Sequence, residues 1–324
     1  QNFFRHVGLP EWGCKKKNSF YSIVKKQIQL ILQESRMIRL TWCTLIGLLI
    51  GSQSLSARER PRWELGVIHA AGQLPHYTGS NHYYQRSINL PYGILRSEQV
   101  DVSGVPKLFT DFTPDLRLEM AFGAELPVES GDLNELPPPG ADGSSEKVIR
   151  TKNYTRRGME DIQALIGIGL TLDWYLGEHV TVDFPLLSKS TLGGGFRYAG
   201  NSFAPGISVD AFDRDSNYIL ALGLSWEYGD ENFNRSYYEV KADDALPGRP
   251  VYSPSAGLIS RNETFRFAAQ VTRRLYFFAL QYRRVLENSV VQDSPLVVVN
   301  KNEGWAFGVI LALTASDASV TRRK

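Results

Sequence analysis

The chain has 324 residues, with 36 Lys and Arg against 34 Asp and Glu, and a formal net charge of +2 at pH 7. Residues 1–57 hold 8 of the basic and 2 of the acidic side chains, which leaves 28 basic and 32 acidic residues in the remainder. This acidic balance argues against nucleic-acid binding. Both cysteines, Cys14 and Cys43, also fall in that first segment, so residues 58–324 have no disulfide framework and no thiolate metal site.

The N-terminal segment predicts export. A short basic start at Met37 leads into an apolar run over 41–51 and a small-residue region over 54–57. This is the pattern of a secretory signal peptide over 37–57, with an uncleaved anchor as the alternative. Residues 1–36 are interpreted as upstream sequence translated from an incorrectly chosen start, and residues 58–324 as one mature domain.

Residues 161–174 alternate apolar and polar side chains with a period of two, which indicates a β-strand. Seven residues share an apolar face that ends in an aromatic ring: Ile162, Ala164, Ile166, Ile168, Leu170, Leu172 and Trp174. The opposite face is mostly small or charged, from Asp161 to Asp173. An apolar lipid side and a polar lumen side are typical of a transmembrane barrel strand.

The same alternation recurs in 115–126, 218–228, 276–283 and 304–313. In 276–283 the predicted lipid face is the one with alternate aromatic rings: Tyr276, Phe278, Leu280 and Tyr282. No apolar run after residue 57 reaches the 18 or so residues that a membrane helix needs. A membrane protein built from such strands must be a closed barrel, because unpaired backbone groups cannot face lipid. The alternative is a soluble β-sandwich or a lipocalin-like barrel.

The predicted fold is therefore an all-β, transmembrane antiparallel β-barrel of about twelve strands. The predicted strands are 62–71, 84–97, 99–112, 115–127, 159–175, 178–190, 203–212, 216–228, 233–241, 262–274, 275–288 and 303–315. Ten strands are the alternative, because 203–212 and 233–241 are poorly patterned.

The connections between the predicted strands fall into short and long ones, which predicts that the two ends of the barrel differ. Short turns are indicated at 176–178 and 213–215, and longer polar loops at 128–158 and 242–261. Short turns on one side and long loops on the other match the periplasmic and external ends of an outer-membrane barrel.

Charged residues recur on the predicted lumen face: Arg117, Glu119, Glu125, Asp161, Asp173, Glu227, Arg266, Arg274 and Arg283. Their mixed signs favour ion pairing inside a narrow lumen. The alternative is a small pore whose selectivity these charges set. On the first interpretation, reversing the charge of Arg117 or Arg283 should change stability more than conductance.

The sequence assigns no catalytic, cofactor-binding or metal-binding residue. Four histidines follow residue 57, namely His69, His76, His82 and His179, and Ser80 and Ser87 lie near two of them. A Ser/His lipid hydrolase is a weak alternative, since no G-x-S-x-G motif occurs and sequence proximity does not place a base beside a nucleophile. Asp213 to Asn217 begins like a calcium loop but lacks the glycine and glutamate that complete one.

Several short motifs occur in an order that resembles the MltA-interacting protein/OmpV family. Trp63-Glu64-Leu65-Gly66-Val67 precedes Pro75-His76-Tyr77-Thr78-Gly79-Ser80, and Ile88 to Tyr92 follows. Tyr237-Tyr238-Glu239-Val240, with Glu239 where the family has glycine, and then Tyr252 to Leu258, extend the resemblance over residues 62–315.

The resemblance implies a non-enzymatic outer-membrane protein in contact with outer-membrane lipid. By resemblance, its partners are a lytic transglycosylase and a peptidoglycan synthase, which the family's scaffold joins through periplasmic turns. The alternative is a porin-like diffusion channel, or a surface adhesin that uses the loops 128–158 and 242–261. A lipid-modifying enzyme is a third and weaker possibility.

Overall fold

The computed structural model describes residues 60–95, 100–101, 107–135, 147–193, 195–213, 216–272, 274–316 and 319–320. The proposed upstream segment and signal peptide lie outside these residues and stay predictions. The strands within them are β1 (Arg60–Pro61), β2 (Trp63–Pro75), β3 (His82–Leu95), β4 (Val100–Asp101), β5 (Lys107–Thr113), β6 (Leu116–Glu125), β7 (Glu129–Ser130), β8 (Val148–Ile149), β9 (Lys152–Asn153), β10 (Leu165–Leu176), β11 (Val180–Thr191), β12 (Tyr198–Phe203), β13 (Gly206–Asp210), β14 (Tyr218–Gly229), β15 (Gly257–Gln270), β16 (Leu275–Val285), β17 (Lys301–Ala315) and β18 (Ser319–Val320).

Thirteen of these strands form one antiparallel barrel wall, whereas β1 pairs with β18, β7 with β9, and β8 with β3 in a parallel sense. The order is β4-β5-β6-β10-β11-β12-β14-β15-β16-β17-β2-β3. β13 pairs with the same two neighbours as β12, so the two strands share one position, bent at Pro205. β17 pairs with β2, which joins the late strands to the early ones. β3, the last strand of the order, lies beside β4, the first, so the wall closes on itself. The wall therefore has twelve strand positions, and the predicted all-β antiparallel barrel is confirmed.

Three of the twelve predicted strands are different in the structure, and one of them is 203–212, where β12 ends and β13 follows. The predicted strand 233–241 is wrong, because the chain there forms helix α1 (Glu231–Tyr238). The Asp230 carboxylate caps this helix by accepting a hydrogen bond from the Phe233 backbone N–H at 2.8 Å. The predicted strand 99–112 is divided into β4 and β5, which pair antiparallel and so restore the count to twelve.

The helices in the described part of the chain are short. Besides α1, this part has single 3-10 turns at Tyr154–Arg156 and Ala242–Asp244. Among the residues that the structure describes, no helix is long and apolar enough to cross a membrane.

The two ends of the barrel differ as predicted. At one end the connections are short, at 114–115, 177–179, 211–217 and 271–274. At the other end lie the connections 76–81, 126–164, 192–197, 230–256 and 286–300, and α1 belongs to one of them. We refer to these as the short-turn end and the loop end. In outer-membrane barrels short turns are periplasmic and long loops are external.

Strand register confirms which side of β10 faces outward. Ile168, Leu170 and Trp174 are 49%, 51% and 48% exposed, whereas Thr171 on the alternate face is buried. Leu170 lies directly opposite Leu186 of β11 and Met120 of β6, and directly opposed residues of antiparallel strands share a face. The outer wall at these strands is therefore aliphatic.

The predicted faces of β16 are wrong. Phe278 and Tyr282 lie opposite Gly308 and Gly304 of β17, on the inner side of the wall. A side chain at Gly304 would collide with the Tyr282 ring, so glycine there makes room for the ring inside the barrel. Arg283, predicted to face the lumen, therefore points outward. Period-two alternation could not decide between the faces, because β16 carries aromatic rings on both.

Candidate functional site

The loop end is filled by a hydrophobic core of its own, which we call the cap. Its buried members come almost entirely from the connections at this end: Tyr77, Val128, Met159, Ile162, Leu165, Ala199, Phe233, Tyr237, Tyr238, Val240, Ile259, Leu286, Val291 and Leu296. The Tyr77 ring packs edge-on against Tyr238 at 6.0 Å and lies 6.3 Å from Tyr237. Two loops, 76–81 and 230–256, thus contribute to one aromatic centre.

The turn after β2 lies at the centre of the cap and is held by Asn302 of β17. Asn302 is fully buried. Its Oδ1 accepts from the Gly79 N–H at 2.5 Å, and its Nδ2 donates to the Ser80 carbonyl at 2.7 Å and the Tyr83 hydroxyl at 3.0 Å. Gly79 has φ of +94°, a conformation that favours glycine. The first hairpin is therefore locked to the last long strand.

The two histidines of this turn serve the fold. His76 Nε2 donates to the Arg150 carbonyl at 3.0 Å, and its ring stacks on Tyr84 at 4.0 Å. Burial lowers the pKa of His76 to about 3, so the ring is neutral near pH 7. His82 Nε2 accepts from the Tyr154 backbone N–H at 3.3 Å, and its Nδ1 then donates to Asn81 Oδ1 at 2.7 Å.

Within the described ranges, no serine hydroxyl lies against a histidine ring as a nucleophile lies against its base. Ser80 Oγ accepts from the His82 backbone N–H at 3.0 Å and from Asn153 Nδ2 at 3.1 Å. His69 lies on the outer wall, 2.8 Å from Asn89 Oδ1. His179 lies at the short-turn end, where its Nε2 is 3.6 Å from Asp213 Oδ1, and the segment 213–217 lies partly outside the described residues.

Arginines tie the loops of the cap together. Arg249 donates through Nη1 to the carbonyls of Thr155 (3.0 Å) and Arg157 (2.9 Å), and through Nε and Nη2 to the carbonyl of Asp244. Arg156 donates to the Tyr237 carbonyl at 3.0 Å. Neither residue could be predicted from the sequence, because an arginine that bonds to backbone carbonyls leaves no motif.

Beneath the cap lies a cavity of about 320 Å³, bounded by cap residues and by side chains of the wall. Lys189 of β11 is 7% exposed, forms an ion pair with Glu125 of β6 and lies 4.0 Å from the centre of the Phe233 ring. Tyr237 donates its hydroxyl hydrogen to the same Glu125. In this cavity the Glu125 carboxylate is therefore neutralised by the Lys189 ammonium group, and it also accepts a hydrogen bond from the Tyr237 hydroxyl.

Most of the predicted lumen charges do face inward by register: Arg117, Glu119, Glu125, Asp173, Glu227 and Arg266. Arg117 pairs with Asp111 of β5 at 2.7 Å. Asp161 lies in a loop and accepts from the Ser130 N–H, Arg274 lies in the β15–β16 connection, and Arg283 faces outward. In the part of the chain that the structure describes, no three His, Cys, Asp or Glu side chains converge as metal ligands.

A twelve-position antiparallel wall with an aliphatic outer face and an ion-paired interior defines an outer-membrane β-barrel, here with a packed cap at its loop end. Residues 65–314 match the family described as MltA-interacting protein MipA. The chain belongs to this family, so the predicted resemblance is confirmed.

Comparison with solved structures finds likenesses to outer-membrane proteins. OprB of Pseudomonas putida is 10% identical, with a TM-score of 0.31, and the match covers 70% of this chain and 49% of that one. The chain thus spans about half the length of that relative. The COG4313 outer membrane channel of Pseudomonas putida F1 is 14% identical, with a TM-score of 0.34 and coverage of 81% and 100%. A FadL homologue of Pseudomonas aeruginosa is 9% identical, with a TM-score of 0.29 and coverage of 78% and 92%.

These likenesses are weak, so the family match and the strand pairing carry the assignment. A comparison with curated proteins found no match.

Proposed function

We propose that this protein is a non-enzymatic scaffold of the outer membrane, which presents its short-turn end to a lytic transglycosylase of the MltA kind and to a peptidoglycan synthase. The observation that carries the proposal is the cap. A loop end filled by a buried aromatic centre and locked by Asn302 suits a rigid structural barrel better than an open diffusion channel. The family's description supplies the partner class.

The cap also argues against the adhesin alternative. Adhesive loops need adaptable exposed surface, whereas the connections 126–164 and 230–256 are bound to each other through Arg249 and Arg156. Loops held at both ends by buried hydrogen bonds have little freedom to reshape around a partner. The short-turn end is then the better surface for a periplasmic protein.

The short-turn end offers a chemical basis for such a contact. Asp115, Glu178 and Asp213 are exposed, and each comes from a different connection. Three carboxylates from separate connections, with the exposed Arg274 on a fourth, leave this end acidic on balance, which would favour a basic patch on the partner and speed association.

The test is co-purification of membrane-extracted protein with purified lytic transglycosylase. Substituting Asp115→Asn, Glu178→Gln and Asp213→Asn together should reduce the retained partner by about tenfold or more, since each rim charge contributes mainly to encounter. The matched control changes three exposed carboxylates of the loop end, Asp243→Asn, Glu287→Gln and Asp293→Asn, and should retain wild-type binding.

Conductance in planar bilayers separates the alternatives. A scaffold with a sealed cap should give no steady current. Steady ohmic channels from the wild-type protein, together with no retained transglycosylase, would contradict the scaffold proposal and favour the porin alternative.

A further inference from the structure

The outward side of β15, β16 and β17 carries a group of charged side chains toward the loop end. Register places Glu263 opposite Arg283, and Arg283 opposite Glu303. Arg261 and Lys301 both lie opposite Val285. Since directly opposed residues share a face, all five charges project from the outer wall. We call Arg261, Glu263, Arg283, Lys301 and Glu303 the charged ladder.

The ladder borders an apolar surface. Further along the same strands, toward the short-turn end, the residues on the outward face by register are Phe265, Phe267, Ala279, Phe307 and Val309. Phe267 and Ala279 are buried, and Phe307 is the exposed part of this surface at 51%. Trp226 of β14 lies opposite Arg261, and Trp305 of β17 stacks on Phe307 at 5.4 Å. Tryptophan is enriched where hydrocarbon meets headgroups. The ladder is therefore at headgroup level, just beyond the hydrocarbon band.

Charge on the outer wall is local. Along β14 the outward residues are all uncharged: Tyr218, Leu220, Leu222, Leu224, Trp226 and Tyr228. Along β10 they are uncharged as well, from Ile166 to Leu176. A general solubilising rim would place charges around the whole circumference. Their concentration on three adjacent strands instead indicates a surface with a particular ligand.

The ladder has a guanidinium group on each side of Glu263, and its most exposed member is Glu303 at 54%. Glu263 is 11% exposed and lies between two guanidinium groups, 3.2 Å from Arg261 and 3.6 Å from Arg283. Those arginines are 35% and 31% exposed. Lys301 is 42% exposed and forms a 2.8 Å pair with Glu303. Three cations against two carboxylates give the ladder a net positive charge, and Glu263 holds both arginine side chains in place.

We propose that the charged ladder binds the phosphate-bearing headgroup of a lipid in the outer leaflet. Arginine presents a planar fork of N–H donors that matches phosphate oxygens bidentately. A lipid bound there would lay its acyl chains along the aromatic surface below, so that one molecule contacts both the ladder and the apolar rows. The inference concerns the outer wall and does not depend on the scaffold proposal, which concerns the short-turn end.

The test uses the full chain purified in detergent and placed in nanodiscs with fluorescent lipid A or with the same lipid after removal of its phosphates. Wild-type protein should prefer the phosphorylated form. The triple variant Arg261→Gln, Arg283→Gln and Lys301→Gln should bind it roughly 100-fold more weakly, because each basic group near an anionic surface contributes roughly fivefold. Heat-modifiable mobility on a gel checks that the variant is folded.

The matched control removes the same charge from loop residues off the ladder, through Arg150→Gln, Arg235→Gln and Lys241→Gln, and should leave binding unchanged. Should the triple variant not fold, Lys301→Gln alone remains informative, since its exposed side chain makes a single ion pair. Equal binding of both lipid forms by the wild type would overturn the proposal. Displacement of lipid A by millimolar inorganic phosphate would overturn the assignment to a lipid, because a soluble anion would then suffice.

Discussion

The cap and the short-turn end are built on different kinds of contact. In the cap, Tyr77 donates to the Leu296 carbonyl at 2.9 Å and Tyr238 donates to the Thr78 carbonyl at 2.9 Å, so partners are more than a hundred residues apart. At the short-turn end, contacts are those of neighbouring strands, as at Gly177, whose φ of +73° makes a tight turn. The wall thus depends on local hairpins and the cap on the whole barrel being closed.

The largest effect should come from Asn302. Asn302→Ala removes the partner of the Gly79 N–H, the Ser80 carbonyl and the Tyr83 hydroxyl, and leaves buried polar groups unsatisfied. We expect a loss of about 3–5 kcal/mol in the free energy of unfolding, since each such group costs about 1–3 kcal/mol. Urea unfolding in micelles, followed by tryptophan fluorescence, measures this value.

Asn232→Ala is the control for that experiment, because Asn232 is an exposed residue of α1 in the same end of the barrel. Its loss should stay within about 0.5 kcal/mol, as for most surface substitutions. Equal effects of the two variants would show that the cap does not depend on the Asn302 hydrogen bonds.

A smaller effect should follow from Gly304→Ala, which tests the inward face of β16. The added methyl group would collide with the Tyr282 ring, and overpacking of this kind costs about 1–3 kcal/mol. The double variant Gly304→Ala with Tyr282→Leu should recover part of that loss. If Gly304→Ala is neutral on its own, the ring must point to lipid, as alternation alone suggested.

The next effect in size should be a dependence of the free energy of unfolding on pH that results from His76. Its folded pKa of about 3 lies below the ordinary 6.5, so this contribution to stability is complete above pH 6.5 and is lost as the pH falls toward 3. Between pH 7.5 and 5.5 the loss should be about 1.4 kcal/mol, at about 1.4 kcal/mol per pH unit below 6.5. His76→Asn should remove the share of this pH dependence that the buried imidazole of His76 contributes.

The smallest effect should belong to Tyr238→Phe. The substitution keeps the ring in the cap but removes the donor to the Thr78 carbonyl. A single neutral hydrogen bond contributes about 1 kcal/mol, so we expect a loss of that size. Tyr228→Phe, on the exposed outer face of β14, should change the free energy of unfolding by less than about 0.5 kcal/mol.

The direction of the side chains could be predicted from the sequence where a strand has one clearly apolar face. Ile168 and Leu170 of β10 alternate with glycine and threonine, so their direction could be predicted. The prediction failed at β16, where Phe277 and Phe278 place aromatic rings on both faces and only the register with β17 decides. Tyr237 and Tyr238 favoured a strand by propensity, but the Asp230 cap and the packing of both rings made that segment helical.

The cap itself could not be predicted. The order of the motifs indicated the family, yet nothing in the P-x-Y-x-G-S turn shows that its partner is Asn302, more than two hundred residues away. Nor does a single sequence show that Arg249 bonds to the carbonyls of another loop. Such contacts depend on tertiary structure, because a backbone carbonyl is the same group at every position.

The pairing of β17 with β2 has a consequence for how the molecule is made. β2 leaves the ribosome early and β17 late, so the wall can close only after nearly the whole chain is present, and non-local pairing of this kind is slow. The Asn302 lock joins the same two regions, so it forms at closure and at no earlier stage. Protection of the Gly79 amide from hydrogen exchange would therefore report on completed barrels alone, and would separate them from every partly assembled form.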